Sequence, residues 1–68
     1  MRMKDDNGKW VQAGDQIEFC YGMPPVKATA QIELRDGILI GTCSGHDPET
    51  FRLRSLRRFV SPWYKVEG

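Results

Sequence analysis

An Asp-Gly pair at positions 36 and 37 separates two apolar runs of the chain. Such a pair favours a tight β-hairpin, because glycine tolerates the positive φ angle that the turn requires. Residues 27–34 before the pair alternate between polar and apolar side chains, which is typical of a half-buried strand. Residues 38–43 after it are almost continuously apolar, which is typical of a strand covered on both faces. The sequence therefore predicts two paired strands in the middle of the chain.

A third strand is predicted at residues 16–21, where large apolar side chains occupy every second position. Pro24 and Pro25 follow it, and they predict a loop or sheet edge because proline lacks the N–H group needed inside a sheet. In the next strand, Ala28 and Ala30 share one face. Such small side chains indicate the close approach of a second layer, as at the narrow end of a small barrel.

Residues 48–60 fit two structures. In the first, Pro48 begins a helix whose apolar stripe faces the core. In the second, residues 50–53 form a strand, a turn follows, and residues 58–60 form the last strand. We favour the second structure, because Phe51 faces the core in the strand and lies on the polar side of the helix.

These patterns predict an all-β fold in a chain of 68 residues, which is enough for one domain. We expect a small SH3-like barrel of about five short strands over residues 9–68, preceded by a flexible tail at residues 1–8. The alternative is an α+β fold, in which a three-stranded sheet carries a C-terminal helix at residues 48–60.

The charges are unevenly distributed although the formal net charge is only +1. Residues 1–50 carry five basic and eight acidic side chains, for a net charge of −3, whereas residues 51–68 carry five basic and one acidic, for a net charge of +4. A basic segment on an acidic body predicts a local surface that faces anions. The alternative is that the arginines pair with neighbouring carboxylates.

We expect a non-catalytic module that contacts single-stranded nucleic acid or a nucleotide ligand in a regulatory role. Arginine forks suit phosphate oxygens, and aromatic rings stack on bases. Small barrels bind single strands by combining a basic groove with aromatic platforms. The candidate contact residues are Arg52, Arg54, Arg57, Arg58, Tyr21, Trp63 and Tyr64.

A second interpretation is a protein-interaction or accessory module. Tyr21 precedes the Pro24-Pro25 loop, and together they would form an aromatic and proline-rich rim. Such a rim suits docking of a partner protein or self-association of the chain.

Enzymatic activity is not predicted. The only nucleophile–base candidate is Cys43 with His46, and nothing in the sequence shows a third group that would orient the imidazole. A zinc site would need an unusual ligand set that adds Cys20 and Asp47 to this pair, so neither a metal nor another cofactor is expected.

The chain is expected to be cytoplasmic. Its first eight residues are polar and lead into no apolar stretch, which argues against a secretory signal. No apolar run approaches the ~20 residues that a membrane-spanning helix needs. In the cytoplasm, Cys20 and Cys43 are expected to be reduced, and both are predicted to be buried.

Four segments of the sequence resemble the WYL domain: residues 17–21, residues 39–43, residues 50–53 and Leu56. The resemblance spans roughly residues 16–59. It implies an SH3-like or Sm-like barrel of the kind found in regulatory domains of bacterial transcription factors and CRISPR-associated proteins. The family is thought to sense nucleic-acid or nucleotide ligands.

The resemblance implies ligand contacts at Tyr21 and Arg52. The chain departs from the family pattern at Arg54, where the family has Asp, and at Ser55, where it has Arg. Its naming tripeptide is also replaced here. The Gly-Asp and Asp-Gly pairs of the chain additionally resemble KOW-type SH3-like barrels, which often bind RNA or ribosomal partners.

Overall fold

The computed structural model describes residues 2–43, 50–60 and 62–66, apart from the side chain of Arg57. Within these ranges, seven strands and one short 3-10 helix follow one another. They are β1 Met3–Lys4, β2 Trp10–Val11, β3 Gln16–Tyr21, β4 Val26–Arg35, β5 Ile38–Cys43, β6 Thr50–Arg52, the 3-10 helix Leu53–Arg58, and β7 Trp63–Lys65.

Five of the strands form one antiparallel sheet in the order β6-β5-β4-β3-β7, and β1 pairs with β2 in a separate hairpin. This arrangement confirms the prediction of an all-β fold, with five strands in one sheet and two in another. The strands predicted at residues 16–21, 27–34 and 38–43 correspond to β3, β4 and β5. At the predicted turn, Asp36 and Gly37 both have positive φ, of 50° and 77°, as a tight hairpin requires.

The sheet differs from the prediction in that it is open and does not close into a barrel. Among the described residues, β6 and β7 each pair along one edge only. On β7, the N–H groups of Trp63 and Lys65 donate to carboxylate oxygens of Asp6 and Asp5, at 2.8 and 2.9 Å. Side chains of the N-terminal segment therefore occupy the edge at which closure would add a strand.

This N-terminal segment is part of the folded body. The sequence predicts a flexible tail at residues 1–8, but the structure places β1 within it and buries Asp5. One oxygen of Asp5 also accepts hydrogen bonds from the N–H groups of Asn7 and Lys9, at 2.9 and 2.8 Å. These bonds close the turn between β1 and β2 and anchor the hairpin to β7.

Between β5 and β7 the chain follows neither predicted structure completely. The strand predicted at residues 50–53 is confirmed for Thr50–Arg52, but Leu53 begins the 3-10 helix. The strand predicted at residues 58–60 is wrong, since the last strand is Trp63–Lys65. The alternative of an α-helix is also wrong over residues 50–60, and residues 48 and 49 lie outside the described part.

The 3-10 helix forms here because it buries two leucines that lie three residues apart. Residues i and i+3 are eclipsed in a 3-10 helix, so Leu53 and Leu56 both face the core. They join a single apolar cluster contributed by β2, β3, β4, β5 and β7. Its buried members are Val11, Ile17, Phe19, Ala30, Ile32, Leu39, Leu53, Leu56 and Trp63.

Replacement of Gly41 by alanine is expected to lower the free energy of unfolding by about 1–3 kcal/mol through overpacking. Gly41 on β5 lies opposite Phe51 on β6, and an added Cβ would lie 2.4 Å from Cζ of Phe51. The ring cannot easily move aside, because it packs edge-on against Phe19 with 6.0 Å between the ring centroids. Urea denaturation followed by circular dichroism measures the change.

The matched control is the same substitution in a Phe51→Ala background. There the added methyl group no longer meets a ring, so the cost of Gly41→Ala should largely disappear. An equal cost in both backgrounds would show that the ring contact is not its cause.

Candidate nucleic-acid interface

Three of the predicted arginines lie on the segment that joins the two edges of the sheet. Arg52 ends β6, opposite Ile40 of β5, and Arg54 and Arg58 lie on the 3-10 helix. All three side chains are exposed. We call Arg52, Arg54 and Arg58 the arginine strip. The backbone of Arg57 lies in the same helix, and its side chain is outside the described part of the structure.

The helix sets the directions in which the strip projects. A 3-10 helix has three residues per turn, so its side chains form three rows along its length. The row that contains Leu53 and Leu56 faces the core, and the other two rows flank it. Arg54 lies on one of these rows and Arg58 on the other. The helix rises about 2 Å per residue, so its six residues extend the strip over roughly 12 Å.

The strip is not neutralised by the carboxylates that the structure describes. Glu33 pairs with Arg35, Glu18 with Lys27 at 3.1 Å, and Asp15 with Lys65 at 3.5 Å. Among residues 2–43, 50–60 and 62–66, no ion pair involves Arg52, Arg54 or Arg58. The two other candidate partners from the sequence, Asp47 and Glu49, lie outside these ranges.

The predicted aromatic contacts lie on β3 and β7, whereas the arginine strip lies on β6 and the 3-10 helix. Trp63 is fully buried, so its ring has no face available for stacking. Tyr64 is half-buried on β7, opposite Glu18 of β3, and Tyr21 is exposed at the end of β3. In the strand order, β3 and β7 are separated from β6, which ends at Arg52, by β4 and β5.

An aromatic residue that the sequence reasoning missed lies directly beside the strip. Phe59 follows Arg58 and is 82% exposed. The 3-10 helix ends there, where the N–H group of Phe59 donates to the carbonyl of Leu56. The backbone angles of Phe59 are −112° for φ and −39° for ψ. The strand predicted at residues 58–60 gave no indication that Phe59 is exposed. The sequence feature that could have identified Phe59 as a candidate contact is its position directly after two arginines.

A shallow groove of about 310 Å³ lies on the outer face of β3 and β7. The Glu18–Lys27 ion pair lines it, together with Tyr64. Cys20 also lines it and is exposed, so its predicted burial is wrong. The reason is that Cys20 lies on the strand face opposite Ile17 and Phe19. Cys43 is half-buried, and neither cysteine is in a disulfide.

The loop between β3 and β4 carries exposed apolar side chains. Met23 is 97% exposed, and Tyr21 and Val26 on either side are each more than half exposed. We call Tyr21, Met23 and Val26 the apolar rim. The ring of Tyr21 rests against Phe19, with 6.2 Å between centroids, which fixes the rim at one end of the sheet.

Within the described ranges, no three His, Cys, Asp or Glu side chains are arranged to hold a metal ion. Of the candidate pair of Cys43 and His46, Cys43 lies within those ranges, whereas His46 and its neighbour Asp47 lie outside them. In the same part of the chain, no helix has the length and apolar character needed to cross a membrane.

No protein-family model, curated protein or solved structure matches this chain. The resemblances to WYL and KOW-type domains therefore stay predictions from the sequence.

Proposed function

We propose that this protein is a non-catalytic module that binds single-stranded nucleic acid through the arginine strip. The observation that carries the proposal is the exposure of three guanidinium groups within seven residues, none of them paired with a described carboxylate. Guanidinium groups remain charged at any physiological pH and bind phosphate oxygens through two parallel N–H donors. The strip therefore supplies positive charge that the rest of the domain leaves available for a ligand.

Phe59 supports a single strand rather than a duplex as the ligand. Bases of a single strand are free to stack on an aromatic ring, whereas those of a duplex are already stacked on one another. Phe59 adjoins Arg58 and is largely exposed, so a base and its phosphate could contact neighbouring residues.

Replacing all three arginines of the strip with glutamine is expected to weaken binding of a fluorescein-labelled oligothymidylate and its RNA counterpart. The slope of log K against log salt should become shallower by about 2, because each phosphate contact on a single strand contributes about 0.7. Fluorescence anisotropy across a series of salt concentrations measures both affinity and slope.

The matched control replaces Lys27, Arg35 and Lys65 with glutamine. It removes the same three positive charges, but each of these side chains is already held by a carboxylate. The proposal requires the control to keep most of the salt slope. It fails if the wild-type protein does not bind at low salt, or if the two triple variants lose affinity equally.

Replacement of Phe59 by alanine is expected to reduce affinity for the oligonucleotide by about 5- to 150-fold while leaving the salt slope unchanged. Loss of one base–aromatic stack costs about 1–3 kcal/mol. Folding should be unaffected, since the ring is 82% exposed. Met23→Ala is the control, because it removes another largely exposed apolar side chain, from the loop between β3 and β4. Equal binding by Phe59→Ala and wild type would exclude a stacking role.

The apolar rim favours a second candidate function, docking of a protein partner or of another copy of the chain. Three neighbouring apolar side chains at one end of the sheet are each more than half exposed. Size-exclusion chromatography at high salt distinguishes the two functions, because phosphate contacts weaken there and an apolar interface persists. Self-association under those conditions, abolished by Met23→Glu, would favour the second.

A further inference from the structure

A small cavity lies between β1, the turn that joins β4 to β5, and the 3-10 helix. Its volume is about 90 Å³, and it is lined by Met3, Gly37, Ile38, Leu39 and Arg54. Gly37 and Arg54 are exposed, so the cavity is open to solvent on their side. Apart from Arg54, the side chains that line it are apolar. We call this space the Arg54 cavity.

The Arg54 cavity lies beside the part of β5 that β6 does not cover. β5 has six residues, but β6 pairs with only three of them. The chain leaves the sheet after Arg52 and enters the 3-10 helix. Within the described ranges, Ile38 and Leu39 therefore pair with β4 and with no strand on their other side. The helix then brings Arg54 to the wall of the space that the short strand leaves.

The cavity combines a fixed apolar wall with an available cation. Leu39 belongs to the core and Met3 packs against it, so both are held in place. The side chain of Arg54 is exposed, and no carboxylate among the residues that the structure describes pairs with it. An occupant of the cavity would therefore bury hydrocarbon and place a negative charge on the guanidinium group.

The size and lining of the cavity select a small aliphatic group. An apolar cavity of about 150 Å³ holds a benzene molecule, so a volume of about 90 Å³ suits a smaller group. A nucleobase fits poorly, because the N–H and C=O groups of its edge would exchange hydrogen bonds with water for contacts with Met3, Ile38 and Leu39. A branched aliphatic side chain has no polar groups to satisfy.

Arg54 selects a carboxylate next to that aliphatic group. A guanidinium group binds a carboxylate through two parallel N–H···O hydrogen bonds. Because Arg54 itself lines the cavity, the carboxylate has to lie close to the group that fills it. The last residue of a polypeptide satisfies both conditions when it is aliphatic, since its side chain and the terminal carboxylate are attached to the same Cα atom.

We propose that the Arg54 cavity binds the C-terminal residue of a partner polypeptide. An aliphatic side chain such as that of leucine occupies the cavity, and the terminal carboxylate binds the guanidinium group of Arg54. The inference goes beyond nucleic-acid binding and does not depend on it, because it needs one arginine of the strip together with an apolar space that phosphate contacts do not use.

The test is a titration with a glycine–serine peptide that ends in leucine, followed by NMR of the methionine methyl groups. Met3 lines the cavity, whereas Met23 is 97% exposed in the loop between β3 and β4. We expect a saturable shift of the Met3 resonance and none of the Met23 resonance. The same peptide with a C-terminal amide, or with alanine as its last residue, should bind about 10-fold or more weakly, because each change removes one of the two interactions.

Arg54→Gln and Arg58→Gln are a matched pair of variants for the same titration. Each removes one exposed arginine from the 3-10 helix, but Arg54 lines the cavity and Arg58 does not. Arg54→Gln should weaken peptide binding by about 10- to 100-fold, because the carboxylate loses its charged donor. Arg58→Gln should leave the affinity nearly unchanged. Both side chains are exposed, so neither variant should unfold.

Equal losses in the two variants would overturn the proposal in favour of general attraction to the arginine strip. Equal affinity for the acid and amide peptides would overturn it, as would the absence of a Met3 shift at about 1 mM peptide. Binding of N-acetyl-leucine as tightly as the peptide would assign the cavity to a free small acid, and a Met3 shift with oligothymidylate alone would assign it to a base. Failure of the proposed function appears separately, in the anisotropy titrations with oligonucleotides.

Discussion

Replacement of Trp63 by alanine is expected to lower the free energy of unfolding by about 3–5 kcal/mol, the usual cost of removing a buried tryptophan. The side chain is fully buried and belongs to the apolar cluster that forms the core. A chain of this length has a total stability of only roughly 3–10 kcal/mol. Urea denaturation followed by circular dichroism should therefore show a much lower midpoint, or a protein that is already partly unfolded without urea.

The second tryptophan of the chain is the natural control. Trp10→Ala should change stability by less than about 1 kcal/mol, because nearly half of the side chain is exposed and it belongs to a two-residue strand. If Trp63→Ala kept the wild-type midpoint, the core described above would be wrong. The stability of these two variants also helps to interpret binding measurements. A loss of affinity in Trp63→Ala would result from unfolding and not from a missing stacking partner.

The three long strands were predictable from the sequence because their signals are local. Period-two alternation fixes a strand and its buried face within six to ten residues. The turn at Asp36 and Gly37 depends only on the φ angles of those two residues, 50° and 77°. Neither signal requires knowledge of any distant part of the chain.

The N-terminal hairpin and the open edge could not be predicted in this way. Both depend on Asp5, whose carboxylate bonds to the backbone of Lys65, 60 positions away in the sequence. An aspartate in a polar stretch looks the same whether it is solvated or bonded to a distant strand. The sequence pattern therefore indicates a tail where the structure has a hairpin.

The candidate site was predictable in its charges but not in its aromatic partners. An arginine run in a basic segment is exposed in almost any fold, because burying an unpaired guanidinium group is very costly. Whether Trp63 or Phe59 faces solvent depends on where the 3-10 helix ends, which the apolar pattern does not specify. In the structure, Trp63 is buried in the core and Phe59 is largely exposed.

The second large effect is expected at Asp5, where replacement by alanine should lower the free energy of unfolding by about 2–4 kcal/mol. The carboxylate accepts three backbone N–H groups, from Asn7 and Lys9 in the hairpin turn and from Lys65 on β7. Hydrogen bonds to a charged acceptor are stronger than those to a neutral one, and their loss leaves donors without a partner. Asp6→Asn is the control, because an amide oxygen can still accept the N–H group of Trp63.

The pH dependence of stability tests the charge of Asp5 separately from its shape. Burial alone would raise the pKa of Asp5, but the backbone N–H groups of Lys65, Lys9 and Asn7 and the charge of Lys9 together lower it below its ordinary value of 3.8. A carboxyl group whose pKa is lower in the folded state stabilises the protein fully above the unfolded value, and this contribution is lost as the pH falls through the folded value. The stability difference between wild type and Asp5→Ala should therefore be constant near neutral pH and shrink as the pH falls below 3.8. Urea denaturation over a pH series measures it, and a difference that persists unchanged in strong acid would mean that the ionised carboxylate does not anchor the hairpin to β7.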